Sequence, residues 1–311
     1  MNNKPTHKLV ELISKQLDPM DSTPLNVYEI RNYIYYGFSD EKLRPKYWKV
    51  LLNYYNENKF KSEKYYRNAR ENYHKIEEPE NCIDLIDKDL QRTAALFKDH
   101  RLKNFQPPIK RILIRFAVTN ASIGYVQGMI QIVIPIYYVL SSSDVLEEQK
   151  YAEEDSFYLF HYLMSEINSC YTNLLDQSSI GINGRISNIF EIISQKDPVL
   201  YKYIQQNEKE QSSFIMKWIL QLFTTVFELN ELCWVWDKIF SDAYRFEIVD
   251  YFCATIIMLN REKFIKMEFG ECMEYFQNIK KVDPQETFLI ADELRRSSND
   301  FITVKKGIKK V

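Results

Sequence analysis

An all-α protein is the expectation for this 311-residue chain, and three observations carry it. Apolar residues recur at three- and four-residue steps instead of alternating. The chain holds only 7 glycines, and its 10 prolines stand near the edges of apolar segments, as helix boundaries require. Apolar residues make up 45% of the sequence, with 22 tyrosines and 19 phenylalanines among them. That is enough for a substantial core in one large domain or two packed lobes.

Taken in order, the first well-marked helix lies in SDEKLRPKYWKVLLNYY, where Ser39 is placed to cap, Glu41 follows, and Leu43, Tyr47, Val50, Leu51 and Tyr54 share one stripe. NCIDLIDKDLQRTAALF has Asp84, Asp87 and Asp89 near its start and Ile83, Leu85, Ile86, Leu90, Leu96 and Phe97 through it. This is an acid-rich first turn opening a helix. SIGYVQGMIQIVIPI sets Gly124 and Gly128 around Gln127 ahead of an apolar run, so a bend feeding a buried helix is expected. SSFIMKWILQLFTTVF and RFEIVDYFCATIIMLNREKF are apolar nearly all round and belong in an interior. Periodicity breaks at KIEEPENCID, KNFQPPIK, the acidic 141–155 segment, DQSSIGINGR, QKDPV and KKVDPQE. The acidic segment marks the expected lobe boundary, which gives an N-terminal extension over 1–29, lobes over 30–150 and 151–295, and a basic tail over 296–311 that should fray. No fixed-period repeat points to a solenoid.

Composition excludes several classes of function. A net charge of −2, from 41 basic and 43 acidic residues mixed along the chain, supplies no field for nucleic acid or an anionic membrane. Cys82, Cys170, Cys233, Cys253 and Cys272 stand far apart and read as free thiols in a reducing compartment. The polar start and the lack of roughly 20 uninterrupted apolar residues predict a cytoplasmic protein without membrane insertion. His7, His74, His100 and His161 lack metal-site spacing, so no metal is expected. Phosphate-binding glycine loops and a nucleophile elbow are absent from the sequence as well.

Two polar groups stand out against this background. On a helix, Ile86, Asp89 and Arg92 fall within about a third of the circumference, so Asp89 is placed to aim Arg92. By spacing alone a surface ion pair is the reading the pair favours. Gln127 on its bend reads either as a group that satisfies local backbone or as one that orients a water for attack on a phosphate, with an arginine neutralising the developing charge.

The two stretches together, Ile86-x-x-Asp89-x-x-Arg92-Thr93 and Gly124-Tyr125-Val126-Gln127-Gly128-Met129, resemble the fingerprints of the TBC domain. An upstream Arg44-Pro-Lys-Tyr-Trp48 is similar to a third motif of that family, and the segments around Trp218, Trp236 and Asp237 follow in family order. The resemblance runs from about residue 30 to about residue 260 and is nearest to the branch of TBC domain family member thirteen. It implies an all-helical, monomeric GTPase-activating protein with two packed helical lobes, acting on a GTP-bound Rab-type small GTPase. Arg92 would serve as an arginine finger and Gln127 as a glutamine finger. Asp89, Ile86, Thr93, Tyr125, Gly124 and Gly128 would support them, with Asp89 holding Arg92. Arg44 would ion-pair, Trp48 would fill the core, and Trp218, Trp236 and Asp237 would pack and cap. The chain would need no cofactor of its own, because GTP and Mg²⁺ belong to the partner, and it would meet endomembranes through the Rab. Ile130 stands where the family usually has asparagine, which keeps a second reading in view: a Rab-binding module on the same scaffold with impaired catalysis.

Overall fold

Between Leu43 and Tyr54 the expected stripe forms, and its five members are all buried. The helix itself starts later than its capping signal suggests, at Arg44, with Pro45 in its first turn. Asp40, not Ser39, closes the preceding turn by accepting from the Lys42 and Leu43 amides at 3.0 Å each. Ser39 accepts instead from the Arg44 guanidinium at 2.9 Å. The computed structural model describes residues 7–308 apart from 56–57, 79–82, 96, 98, 100–101, 173–177, 179–180 and 207. Cys82 and His100 lie outside the described residues. Among the described residues every regular element is helical.

The chain divides into two units at Tyr171 and Thr172. The first holds α1 (His7–Leu17), α2 (Val27–Tyr35), α3 (Arg44–Leu51), α4 (Lys59–Tyr73), α5 (Ile83–Arg92), α6 (Gln106–Thr119), α7 (Met129–Ser141), α8 (Leu146–Lys150) and α9 (Ala152–Ile167). Its centre is α9, against which α4, α6 and α7 pack. The residues set apart in sequence as an extension contain α1, with Ile13 and Leu17 buried.

The acidic segment expected to divide the lobes lies inside this unit: Asp144 and Glu147 stay exposed, but Glu148, Glu153, Glu154 and Asp155 turn to partners within it. Asp155 in the first turn of α9 is 1% exposed and accepts from Lys49 Nζ at 2.8 Å, Arg70 Nε at 2.9 Å, Arg70 Nη2 at 2.8 Å and Tyr54 Oη at 3.0 Å. Glu153 binds Arg111 of α6 and the Tyr73 hydroxyl, and Glu154 binds His74. Burial alone would raise the Asp155 carboxyl, but Lys49 and Arg70 more than reverse it and hold it below the usual range.

The second unit holds α10 (Ile182–Lys196), α11 (Pro198–Gln205), α12 (Glu208–Leu220), α13 (Leu229–Ser241), α14 (Ile248–Leu259), α15 (Arg261–Lys266), α16 (Phe269–Gln277) and α17 (Pro284–Ile308). Here α14 lies between α10 and α17. The apolar run of α12 stops as helix at Leu220, because Leu222 and Phe223 take positive φ and Leu222 turns its carbonyl to the Trp236 indole N–H at 2.8 Å. Trp218 and Trp236 are fully buried. Asp237 is also fully buried but sits within α13 and not at its end. The stretch expected to fray is helical through Ile308.

Candidate functional site

Helix α5 buries one face, with Ile86 at 0%, Asp89 at 4% and Leu90 at 7% exposure. Its last turn is closed by Thr93, whose hydroxyl donates to the Asp89 carbonyl at 2.9 Å and whose amide donates to the same oxygen at 3.0 Å. Arg92 is thereby the final helical residue and is exposed, a favourable place for a cation at the negative end of a helix.

The bend after α6 is built in steps. Asn120 ends the helix and its carbonyl accepts from Ile123 and Gly124, at 3.0 and 2.8 Å. Gly124 takes φ +64° and Gly128 φ +99°, left-handed values that cost a side-chain-bearing residue about 1 kcal/mol or more. Gly128 then opens α7, where Met129 and Ile130 are fully buried. Gln127 is left exposed at the tip. Ile130, in the asparagine position, thus adds to the apolar anchor of the bend.

The polar tie comes from Asp89. One oxygen, Oδ2, accepts from the Tyr125 hydroxyl at 2.5 Å and from the Gly128 amide at 2.8 Å. These two donors flank Gln127 on either side. The expected contact between Asp89 and Arg92 is not formed: the carboxylate turns inward to the bend while the guanidinium stays outside. Among the described residues, Arg92 and the Gln127 amide have no hydrogen-bond partner. Burial and the neighbouring Asp89 carboxylate both raise the Tyr125 phenol, keeping it protonated as a donor.

Sequence reading missed two supports of this arrangement. Asn120 Nδ2 donates to the Phe116 carbonyl at 2.9 Å and meets His161 Nδ1 at 3.3 Å, so the start of the bend is braced from α9. Burial lowers the His161 pKa and favours its neutral, accepting form. The Asp155 cluster was the other, and its partners are too distant in sequence for any local spacing to reveal. Arg44 and Trp48 are buried parts of the frame. A cavity of about 390 Å³, lined by residues including Lys49, Tyr66, Arg70 and Tyr151, contains neither Arg92 nor Gln127. Arg92 and Gln127 are both exposed, so the site presents two side chains outward.

An all-helical frame here exposes an arginine and a glutamine from one shared anchor. A family model for the Rab-GTPase-TBC domain matches residues 41–265, and the chain belongs to the RabGAP-TBC family. It is 32% identical to human (Homo sapiens) TBC1 domain family member 13 over 189 residues, 61% of this chain and 47% of that protein. It is 23% identical to the GTPase-activating protein GYP1 of Saccharomyces cerevisiae over 247 residues, 72% of this chain and 38% of that one. The chain thus spans about half or less of these relatives' length. Its fold matches the crystal structure of the Ypt/Rab-GAP domain of Gyp1p with a TM-score of 0.78 at 21% identity, covering 94% of this chain and 99% of that one. The Chlamydomonas flagellar RabGAP TBC domain matches with a TM-score of 0.65, also at 21% identity, covering 91% of this chain and 90% of that one.

Proposed function

We propose that this chain accelerates GTP hydrolysis by a Rab-type GTPase, with Arg92 and Gln127 entering the partner's nucleotide site in trans. The observation that carries this reading is the double hydrogen bond from Tyr125 and Gly128 to Asp89, three residues before Arg92. It fixes the backbone on either side of Gln127 to the helix that presents Arg92. Both side chains are exposed and uncommitted among the described residues, as groups held ready for a partner should be.

In this mechanism GTP and Mg²⁺ are the partner's. The Arg92 guanidinium neutralises negative charge that grows on the transferring phosphoryl group, and the Gln127 amide orients the attacking water. An arginine supplied in trans is worth about 10³ to 10⁵ in rate, or roughly 4 to 7 kcal/mol of barrier. Encounter with the membrane runs through the Rab itself. Among the described residues no helix is long and apolar enough to cross a bilayer.

The test is single-turnover phosphate release from a panel of GTP-loaded Rab proteins. Acceleration of one or a few Rabs is expected, with Arg92→Ala losing about 10²-fold or more and Gln127→Ala also impaired, while both variants keep the wild-type melting temperature. No acceleration of any Rab, with GTP-dependent binding retained, would leave a non-catalytic Rab-binding module. An Arg92→Ala variant that unfolds would overturn the assignment of that residue.

A further inference from the structure

We infer that the exposed stripe of α5 carrying Arg92 is the strip on which the GTP-loaded GTPase docks, with Leu85 as its apolar anchor and Lys88 as a flanking cation. This deepens the reading above and rests on it for the identity of the partner. At about 100° per residue, Leu85 and Arg92 lie about 20° apart around the helix, with Lys88 about 40° to one side of Arg92. Leu85 is 46% exposed, whereas its immediate neighbour Ile86 is fully buried. Leu85 is one of several large apolar side chains left exposed in this unit; what sets it apart is that it shares a helix face with Arg92, the face that meets the partner on this reading.

The geometry leaves little freedom. Seven residues of helix separate Leu85 from Arg92 by about 10 Å along the axis. A partner that receives the Arg92 guanidinium in its nucleotide site must therefore lie over Leu85 too, since a small GTPase is much wider than this spacing. Asp87 is turned aside into an ion pair with Lys110 at 2.6 Å, while Lys88 is exposed and has no partner among the described residues. The stripe thus offers one apolar contact beside two charges of the sign that a phosphate-bearing face attracts. Asp89, one turn beyond Leu85, ties the Gln127 bend to the same side, so the anchor adjoins both presented side chains.

The experiment separates binding from turnover. Wild type, Leu85→Ala, Leu85→Met and Lys88→Ala are titrated against the Rab chosen by the panel, loaded with a non-hydrolysable GTP analogue, and each is assayed at saturation in single turnover. Leu85→Ala is expected to weaken binding about 3- to 13-fold, the range for losing half of a leucine side chain's burial, while the saturated rate falls less than twofold. Leu85→Met should recover most of the affinity, and Lys88→Ala should flatten its salt dependence. Unchanged affinity in Leu85→Ala, or a lost rate at unchanged affinity, would overturn the docking strip. Wild type that binds the loaded Rab without accelerating hydrolysis would sink the catalytic reading, and the affinities would still decide this one. Wild type that binds no GTP-loaded Rab would sink both.

Discussion

At the scale of single residues, Asp89 matters most among those whose side chains are hidden. Replacing it with alanine strands the Tyr125 hydroxyl and the Gly128 amide, each in a buried or half-buried setting, at a cost of about 2 to 5 kcal/mol in total. Tyr125→Phe removes one of the two bonds and should cost about 1 kcal/mol. Urea denaturation measures both. In the hydrolysis assay Asp89→Ala should resemble Gln127→Ala more than its own loss of stability accounts for. Equal activity in folded Asp89→Ala would refute the anchoring role. By spacing alone these residues read as a surface ion pair and a turn glutamine; it was the resemblance of the two ordered stretches to a known family that singled them out. The direction of the Asp89 carboxylate was not legible. Helical spacing allowed it to reach Arg92, and only the bend folded against α5 supplied two better donors. A buried tyrosine needs a partner for its hydroxyl, so Tyr125 was a signal that spacing alone could not complete.

Among the elements, α9 does for the first unit what Asp89 does for the bend. Its first turn carries Glu153, Glu154 and Asp155, which fasten α3, α4 and α6. Asp155→Ala leaves Lys49 and Arg70 with only the longer contacts to Glu148 and Glu147, and a loss of about 3 to 5 kcal/mol is expected. Denaturant midpoints measure it, and a loss under about 1 kcal/mol would show that water replaces the carboxylate. The helices themselves were legible from periodicity, down to the stripe from Leu43 to Tyr54. The place of this acidic stretch was not, since runs of Asp and Glu look the same whether they face water or buried cations. Helix ends were misread where a distant group decides them, as at Leu222, whose carbonyl serves Trp236.

For the whole molecule, the two units carry opposite responses to acid. In the first, the lowered pKa of Asp155 means a contribution fully present above its unfolded value near 4 and lost below it. His161, also lowered, takes up a proton more readily when unfolded, so its share declines once pH falls below about 6.5. In the second, burial raises Asp250 despite Arg185, and raises Glu247 too. Carboxyls of that kind favour the folded form as they protonate. Hydrogen exchange corrected for intrinsic rates should therefore show protection lost first in residues before Tyr171 as pH falls from 7 to 3. Earlier loss after Thr172 would contradict this. All-helical architecture was legible from composition and spacing, whereas the acidic stretch that runs through α8 into α9 gave no sign in sequence that it would lie inside the first unit.

The shared anchor has a meaning for how such chains lose or keep their activity. A family member could retain its arginine and its glutamine letter for letter and still have a slack glutamine if the aspartate between them were gone. Conversely, activity could be switched off in a single step without touching either presented side chain or the surface that greets the partner. On the proposed reading, such a chain would still bind the GTP-loaded partner but leave its nucleotide unhydrolysed, through one buried oxygen.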